Sequence, residues 1–322
     1  MRFVLGVDGA QASFKACLRW EEGVRTRTFS NKEEGFQELV DWMGDAGADS
    51  VHVCMEATGR YNEPLARWLV ERGYEVSIVN ARAIKAHAAS QMKRNKTDKI
   101  DAMMIADYCW KNMPPQWIPP SSARLALRDV RMYIAGLRKT LTAQKQRLKC
   151  GVVFSEIKER LERDIQRLEQ EIADMYELAR QLIESDEQLS AERDLLHSIL
   201  GLKEKTSTVL LCKIDFHSFR SARQLACFAG LTTRKHESGE SICRRGRISK
   251  MGDPDIRRAL YLPACNAIRH DPAMRAFAER LAARGKPYQV IVTAVMRKML
   301  CVSWAVVTKQ QPYDFTRLLK AA

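Results

Sequence analysis

The first hundred residues alternate between short apolar runs and amphipathic stretches. FVLGVDGA (3–10) is an apolar run that ends in an aspartate and a glycine. SFKACLRW (13–20) alternates polar and apolar, and VRTRTFSN (24–31) follows the turn-like EEG. Period-two patterns of this length predict strands, here an antiparallel three-strand meander. FQELVDWM (36–43) has helical spacing and stops at GDAGAD. SVHVCMEATG (50–59) reads as a strand ending in an acid, YNEPLARWLVERG (61–73) as a helix closed by Gly73, YEVSIVN (74–80) as a strand, and ARAIKAHAAS (81–90) as the start of a helix.

Three strands followed by alternating helices and strands around a mixed sheet is the element order of the ribonuclease H-like fold. Beyond it, TDKIDAMMIADYCW (97–110) reads as a helix, MPPQWIPPSS (113–122) as a Pro-rich break, and 121–150 as a basic helix. Leu161, Ile165, Leu168, Ile172, Met175, Ala179 and Leu182 then recur at alternating spacings of four and three. That a/d seam predicts a coiled coil or a long helical hairpin arm, with an amphipathic helix on its own domain as the alternative. Short helices follow: LLHSILGLKEKTSTVLLCKI (195–214) is helix–turn–helix in outline, and ARQLACFAGL ends at Gly230. The polar stretch 232–250 reads as a loop or small hairpin, and the helices from 253 and 288 are expected to cover it.

A length of 322 residues fits about two domains. No uninterrupted apolar run approaches the ~20 residues of a membrane span, so no membrane partner is expected. The start, MRFVLGVDGAQ, has too short an apolar core for a signal peptide, which favours a cytoplasmic location. The nine cysteines form no CxxC pair and read as small core residues.

Charge changes the picture more. The net charge is +14, yet it runs −3 over residues 1–50, +10 over 51–150, −7 over 151–200 and +14 over 201–322. Two basic blocks around an acidic spacer point to a polyanion, with nucleic acid ahead of an acidic membrane surface.

Two groups carry candidate chemistry. Asp8 and Glu56 end predicted strands, while Asp98 and Asp101 share one helix face. If the first and fourth strands are central neighbours, four carboxylates converge. Such a cluster repels itself unless cations sit in it. Hard oxygen donors suit Mg²⁺, with Mn²⁺ as an alternative. Each acid alone also reads as a turn former, a surface residue or a complement to the helix dipole.

The second group is RKHESGESICRRGRISKMGDPDIRR (234–258). Ser238 lies among Arg234, Lys235, Arg244, Arg245, Arg247 and Lys250, with Arg257 and Arg258 opening the next helix. Guanidinium groups grip phosphate bidentately, and a serine hydroxyl among them could attack a phosphodiester. Ser-Gly also reads as a simple turn, and Ser241 and Ser249 are rival hydroxyls.

GVDGAQASFKA, CMEATGRYNEPLARWL, NKTDKIDAMMIADY and FAGLTTRKHESGESICRRGRISKMGDPDIRRALYLPA together resemble the DEDD transposases. These are bridge-RNA-guided insertion-sequence recombinases related to the Piv DNA invertase. The resemblance implies an α/β chain: a RuvC-like metal-binding domain over 1–152, a coiled-coil arm over 153–192, and a mainly α-helical C-terminal transposase domain over 193–322. It implies that Asp8, Glu56, Asp98 and Asp101 bind Mg²⁺ and that Ser238 is the nucleophile. It implies donor and target DNA and a noncoding guide RNA as partners. It also implies a homo-oligomer, dimer or tetramer, in which acids of one subunit act with the serine of another. Where the family commonly has SIPGIG, this chain has SILGLK, with Leu200 for proline and Lys203 for the second glycine, and Thr233 also replaces a proline.

The nearest rival is a RuvC-like metal-dependent junction nuclease that uses water, for which Ser238 is unnecessary. A sugar-kinase or actin-like ATPase also opens on an aspartate and glycine, but no second phosphate loop or adenosine motif follows. A noncatalytic nucleic-acid-binding protein fits the charge blocks and needs none of the four acids.

Overall fold

A computed structural model describes residues 1–57, 59, 61–91, 98–238 and 242–320, with 98, 235–238, 242–246, 317–318 and 320 described as backbone only. It divides into two compact units, 1–119 and 120–322.

The first unit is built on a five-stranded mixed sheet in the order β3-β2-β1-β4-β5. β1 (Phe3–Gly9), β2 (Ser13–Arg19) and β3 (Val24–Ser30) form the expected antiparallel meander. After α1 (Glu33–Gly44), β4 (Val51–Glu56) lies parallel beside β1. α2 (Glu63–Glu71) then crosses to β5 (Glu75–Val79), parallel to β4. Phe3 through Val7 are all buried, as a central strand covered on both faces requires. β3 is an edge strand, and its exposed Arg25 and Arg27 discourage further pairing.

Alternate residues of β1 serve two layers. Phe3, Leu5 and Val7 join Phe14, Phe29, Phe36, Trp42 and Trp68 in the core under α1 and α2. Val4 joins Cys17, Cys54 and the other face, covered by α3 (Ala81–Ser90) and α4 (Asp98–Asn112). α4 lies directly on β1 because Gly6 has no side chain. A Cβ there would stand 2.3 Å from the Ala102 carbonyl oxygen and the Ala106 nitrogen. The Pro-rich break is packed rather than loose. The Trp117 amide donates to the Val76 carbonyl (2.7 Å), and Ser77 Oγ donates to the carbonyls of Pro114 and Pro115 (3.0 and 2.8 Å).

The second unit is mainly helical. α5 (Ser122–Lys149) and α6 (Ser155–Glu184) pack as a hairpin. Leu168, Ile172 and Ala179 of the predicted seam are buried, and the remaining seam residues are half-buried. Lys145 Nζ reaches Glu169 Oε1 across the hairpin (2.5 Å), and Tyr133 donates to Glu171. The root of α5 is anchored by Arg124, buried, which donates to the carbonyls of Leu211 (2.7 Å) and Ile214 (2.6 Å) and pairs with Glu192 (3.1 Å).

α7 (Glu187–His197), α8 (Glu204–Lys213) and α9 (Ala222–Phe228) lead to a hairpin of β6 (Thr233–Ser238) and β7 (Ile242–Ile248). α10 (Pro254–His270), α11 (Pro272–Ala283), α12 (Tyr288–Lys309) and α13 (Phe315–Lys320) complete the unit. α12 is long and apolar enough to cross a membrane by length and composition, although Arg297 and Lys298 interrupt its apolar run. However, 56% of its apolar window is buried, and Val295, Met299 and Leu300 lie in the unit's core.

Candidate active site

The candidate acids are set by strand phase. Val4 and Gly6 face α4, so Asp8, two residues on, belongs to the same face. Cys54 fixes the phase of β4, and Glu56 follows it on that face. β1 and β4 are parallel neighbours with Val7 opposite Met55, so Asp8 and Glu56 occupy adjoining positions at the same end of the sheet. α4 runs antiparallel to β1. Arg2 Nη2 donates to the Trp110 carbonyl (2.9 Å) near one end of the helix, and Gly6 meets Ala102 and Ala106 further back. The first turn of α4, with Asp98 and Asp101, therefore belongs to the end of the face that carries Asp8 and Glu56. Asp8, Glu56 and Asp101 are half-buried, and the side chain of Asp98 lies outside the described residues.

Among the described residues, no three His, Cys, Asp or Glu side chains form a ready-made metal cage. The donor set is nonetheless chemically uniform. All four candidates are carboxylates, which suit a hard divalent cation such as Mg²⁺ or Mn²⁺.

Three residues around this edge carried no signal in the sequence reading. Lys15 is the cross-strand partner of Asp8 and shares its face, a cation beside an acid cluster. Asn62 is buried, and its amide donates to the Glu56 carbonyl (2.8 Å). Its Oδ1 fills the space where a Cβ on Gly9 would sit, 1.6 Å away, so Gly9 is required for this contact. Asn31 Nδ2 donates to the carbonyls of Ala10 (2.8 Å) and Tyr61 (2.9 Å), joining the two loops that leave the edge. Asn62 occupies the N-cap position of α2 but makes no capping bond with its side chain.

Asp107, further along α4, is a different kind of acid. It is buried, and its carboxylate accepts from Arg19, His87 Nε2 (2.7 Å), Gln91 Nε2 (2.5 Å) and Lys111 Nζ (2.9 Å). Burial opposes its ionisation, yet hydrogen bonds from Lys111, His87 and Gln91 outweigh that. They hold the carboxyl well below the usual aspartate range. The network ties the end of α3 to α4 on either side of segment 92–97. Beneath it, Cys17, Cys54 and Cys109 are free and buried, as the sequence reading expected of core cysteines. Cys150 and Cys227, by contrast, are exposed.

Ser238 ends β6 and pairs with Ile242 of β7. The rival Ser241 lies outside the described residues, and Ser249 lies just past β7, at the base of the hairpin. The described part of that base is tightly built. Arg257 Nη1 donates to the carbonyls of Ala229 (2.9 Å), Gly252 (2.9 Å) and Asp253 (3.2 Å). A Cβ on Gly252 would lie 2.1 Å from the Phe228 carbonyl oxygen. Asp253 caps α10 and pairs with Lys213 (3.1 Å). Arg257 is thus engaged with the backbone on both sides of the hairpin. Arg234, Arg247, Lys250 and Arg258 are exposed. Lys235, Arg244 and Arg245 are strand residues whose side chains lie outside the description.

Comparison with known proteins covers both units. Residues 5–153 match the profile of the IS110-type DEDD transposases, and residues 193–279 match the profile described as transposase, IS116/IS110/IS902 family. The pilin gene-inverting protein of Moraxella bovis is 34% identical over 314 residues, which cover 96% of this chain and 97% of that protein. Its counterpart in Moraxella lacunata gives the same identity and coverage. The transposase for insertion sequence element IS1111A of Coxiella burnetii is 31% identical over 127 residues, 37% of this chain and 33% of that protein.

Proposed function

The chain belongs to the IS110 family of DNA transposases and recombinases, and from that premise we propose that it exchanges DNA strands through a phosphoserine intermediate at Ser238, with the help of a divalent-metal site on a RuvC-like sheet. The observation that carries the reading is the sharing of one sheet edge by Asp8, Glu56 and the first turn of α4.

In this reading Ser238 Oγ bonds to the phosphorus of a DNA strand as the bond to the leaving deoxyribose oxygen breaks. The serine proton is released, and the leaving oxygen takes one up. Attack by the hydroxyl of another strand reverses these steps and frees the serine. The ester conserves the energy of the phosphodiester, so resealing needs no high-energy cofactor. Asp8, Glu56, Asp98 and Asp101 would hold Mg²⁺ or Mn²⁺, which would supply positive charge to the reacting phosphate. Arg234, Lys235, Arg244, Arg245, Arg247 and Lys250 screen the remaining phosphate charge, while Arg258 lines a cleft at the root of the helical hairpin. Arg257 acts indirectly, by closing the base of the hairpin that carries the serine.

A noncoding bridge RNA selects donor and target DNA by base pairing, and the chain works as an oligomer. In the oligomer the acids of one subunit complete the site of another subunit's serine. Mixing inactive proteins tests this directly. Asp8→Ala and Ser238→Ala should each bind nucleic acid and exchange no strands. A mixture of the two should regain part of the activity, because one composite site then has both its acids and its serine intact. No recovery in verified mixed oligomers would mean that acids and serine act within one chain.

A further inference from the structure

The second unit contains a cleft of about 520 Å³ at the root of the helical hairpin, away from Ser238 in sequence and built on other elements. α5 contributes Arg131 and Arg138, the turn after α7 contributes Lys203, α8 contributes Lys205, and α10 contributes Arg258. We propose that this cleft is a second binding site for a nucleic-acid backbone, one that grips consecutive phosphates without reading bases. The proposal rests on the chain being a nucleic-acid recombinase and adds a site to that reading.

Five cations line the cleft with a single carboxylate, Asp255. Asp255 is already engaged by Arg258 (2.9 Å) and approached by Lys213 (3.5 Å). Like charges gathered in a concave surface raise the local potential and draw in anions.

The cations are also held in place. Arg138 and Lys205 both lie over the ring of Tyr176, at 5.4 and 5.7 Å from its centroid. Two long side chains leaning on one aromatic ring lose less freedom on binding than free ones. Arg131 Nε is buried with no hydrogen-bond partner among the described residues. A buried donor without an acceptor is costly, and an incoming phosphate oxygen would relieve it.

Gly201 has φ +90, and a Cβ there would stand 3.1 Å from the Pro263 carbonyl oxygen. The turn is therefore pressed onto α10, which fixes Lys203 at the cleft. Lys203 is also the N-cap of α8 and makes no capping bond with its side chain. The floor between the cations is apolar, with Val209 and Pro263, so it offers carbon surface to sugars. A mononucleotide would engage one or two of these cations. Five, contributed by α5, by α8 with its N-cap and by α10, suit a run of phosphates along a strand.

The test is binding as a function of salt, with random-sequence duplex DNA and a structured RNA of equal phosphate count as probes. The cleft variant is Arg138→Gln, Lys203→Gln and Lys205→Gln together. The control is Lys139→Gln, Lys149→Gln and Lys158→Gln, an equal charge change at exposed positions outside the cleft. Each lost phosphate contact lowers the salt slope by about 0.9 on duplex and about 0.7 on single strands. The cleft variant should lose about two to three units of slope and bind at least about tenfold more weakly than the control. Loss confined to DNA, or confined to RNA, identifies which strand occupies the cleft. Lys203→Arg with Lys205→Arg should bind as the unaltered protein does, separating charge from folding. Equal weakening in cleft and control variants, on both probes, overturns the proposal. Strand exchange is not read, so a failed catalytic assignment would leave this result intact.

Discussion

Asp107 and Asp101 share a helix, yet Asp107 is buried and Asp101 is half-buried. Asp107 is enclosed by Arg19, His87, Gln91 and Lys111 and is committed to holding α3 against α4. Asp107→Asn should therefore destabilise the first unit by about 2–3 kcal/mol. Removing one member of a buried charge network strands the others, and the partial exposure of Arg19 and Lys111 moderates the cost. Urea denaturation measures it. The folded pKa is depressed, so Asp107's stabilisation is fully present above its unfolded value near 4. It is lost as pH falls through the lower folded value. The difference between native protein and Asp107→Asn should accordingly shrink on acidification below about pH 4. A constant difference would mean the carboxylate is not selectively stabilised by its partners. None of this was legible in the sequence, because the four partners of Asp107 come from β2, α3 and α4 and only Lys111 stands at a helical spacing. Asn62 was hidden for a similar reason. An asparagine at a helix start reads as a cap, and here its side chain serves the strand ends instead.

At the scale of elements, period and sequence order carried most of the information. β1 to β5 are each recognisable from their own residues, and the neighbouring of β1 and β4 follows from the order. The Pro-rich stretch was less readable. Prolines announce the end of a helix, and nothing local shows that Trp117 returns to β5. The a/d seam of α6 illustrates the limit of periodicity, which fixes a buried face and leaves its partner open. That partner is α5 of the same chain, so Leu168→Ala or Ile172→Ala should cost about 2–4 kcal/mol in chemical denaturation of the single chain. Unchanged stability would show that these side chains are not packed within the subunit and would return the seam to a role between subunits.

For the whole molecule, the central claim is that one chain combines a carboxylate edge with a serine carried on a separate unit. The adjoining positions of Asp8 and Glu56 at one sheet edge were legible because strand ends fall in a fixed order. The serine's setting was legible as a basic hairpin, while the lock at its base includes the bond from Arg257 to the Ala229 carbonyl, 28 residues away, which no spacing reveals. A nuclease using water would need the acids and leave free DNA ends, whereas a serine recombinase must pass through a protein–DNA ester. The most direct measurement is a denaturing gel of labelled target DNA incubated with the protein, guide RNA and Mg²⁺. The native protein should give a slow band that protease removes. Ser238→Ala should give none while still binding DNA, and Ser241→Ala should retain it. Free-ended nicks with no protein-linked band in the native protein, or a band that survives Ser238→Ala, would contradict the account.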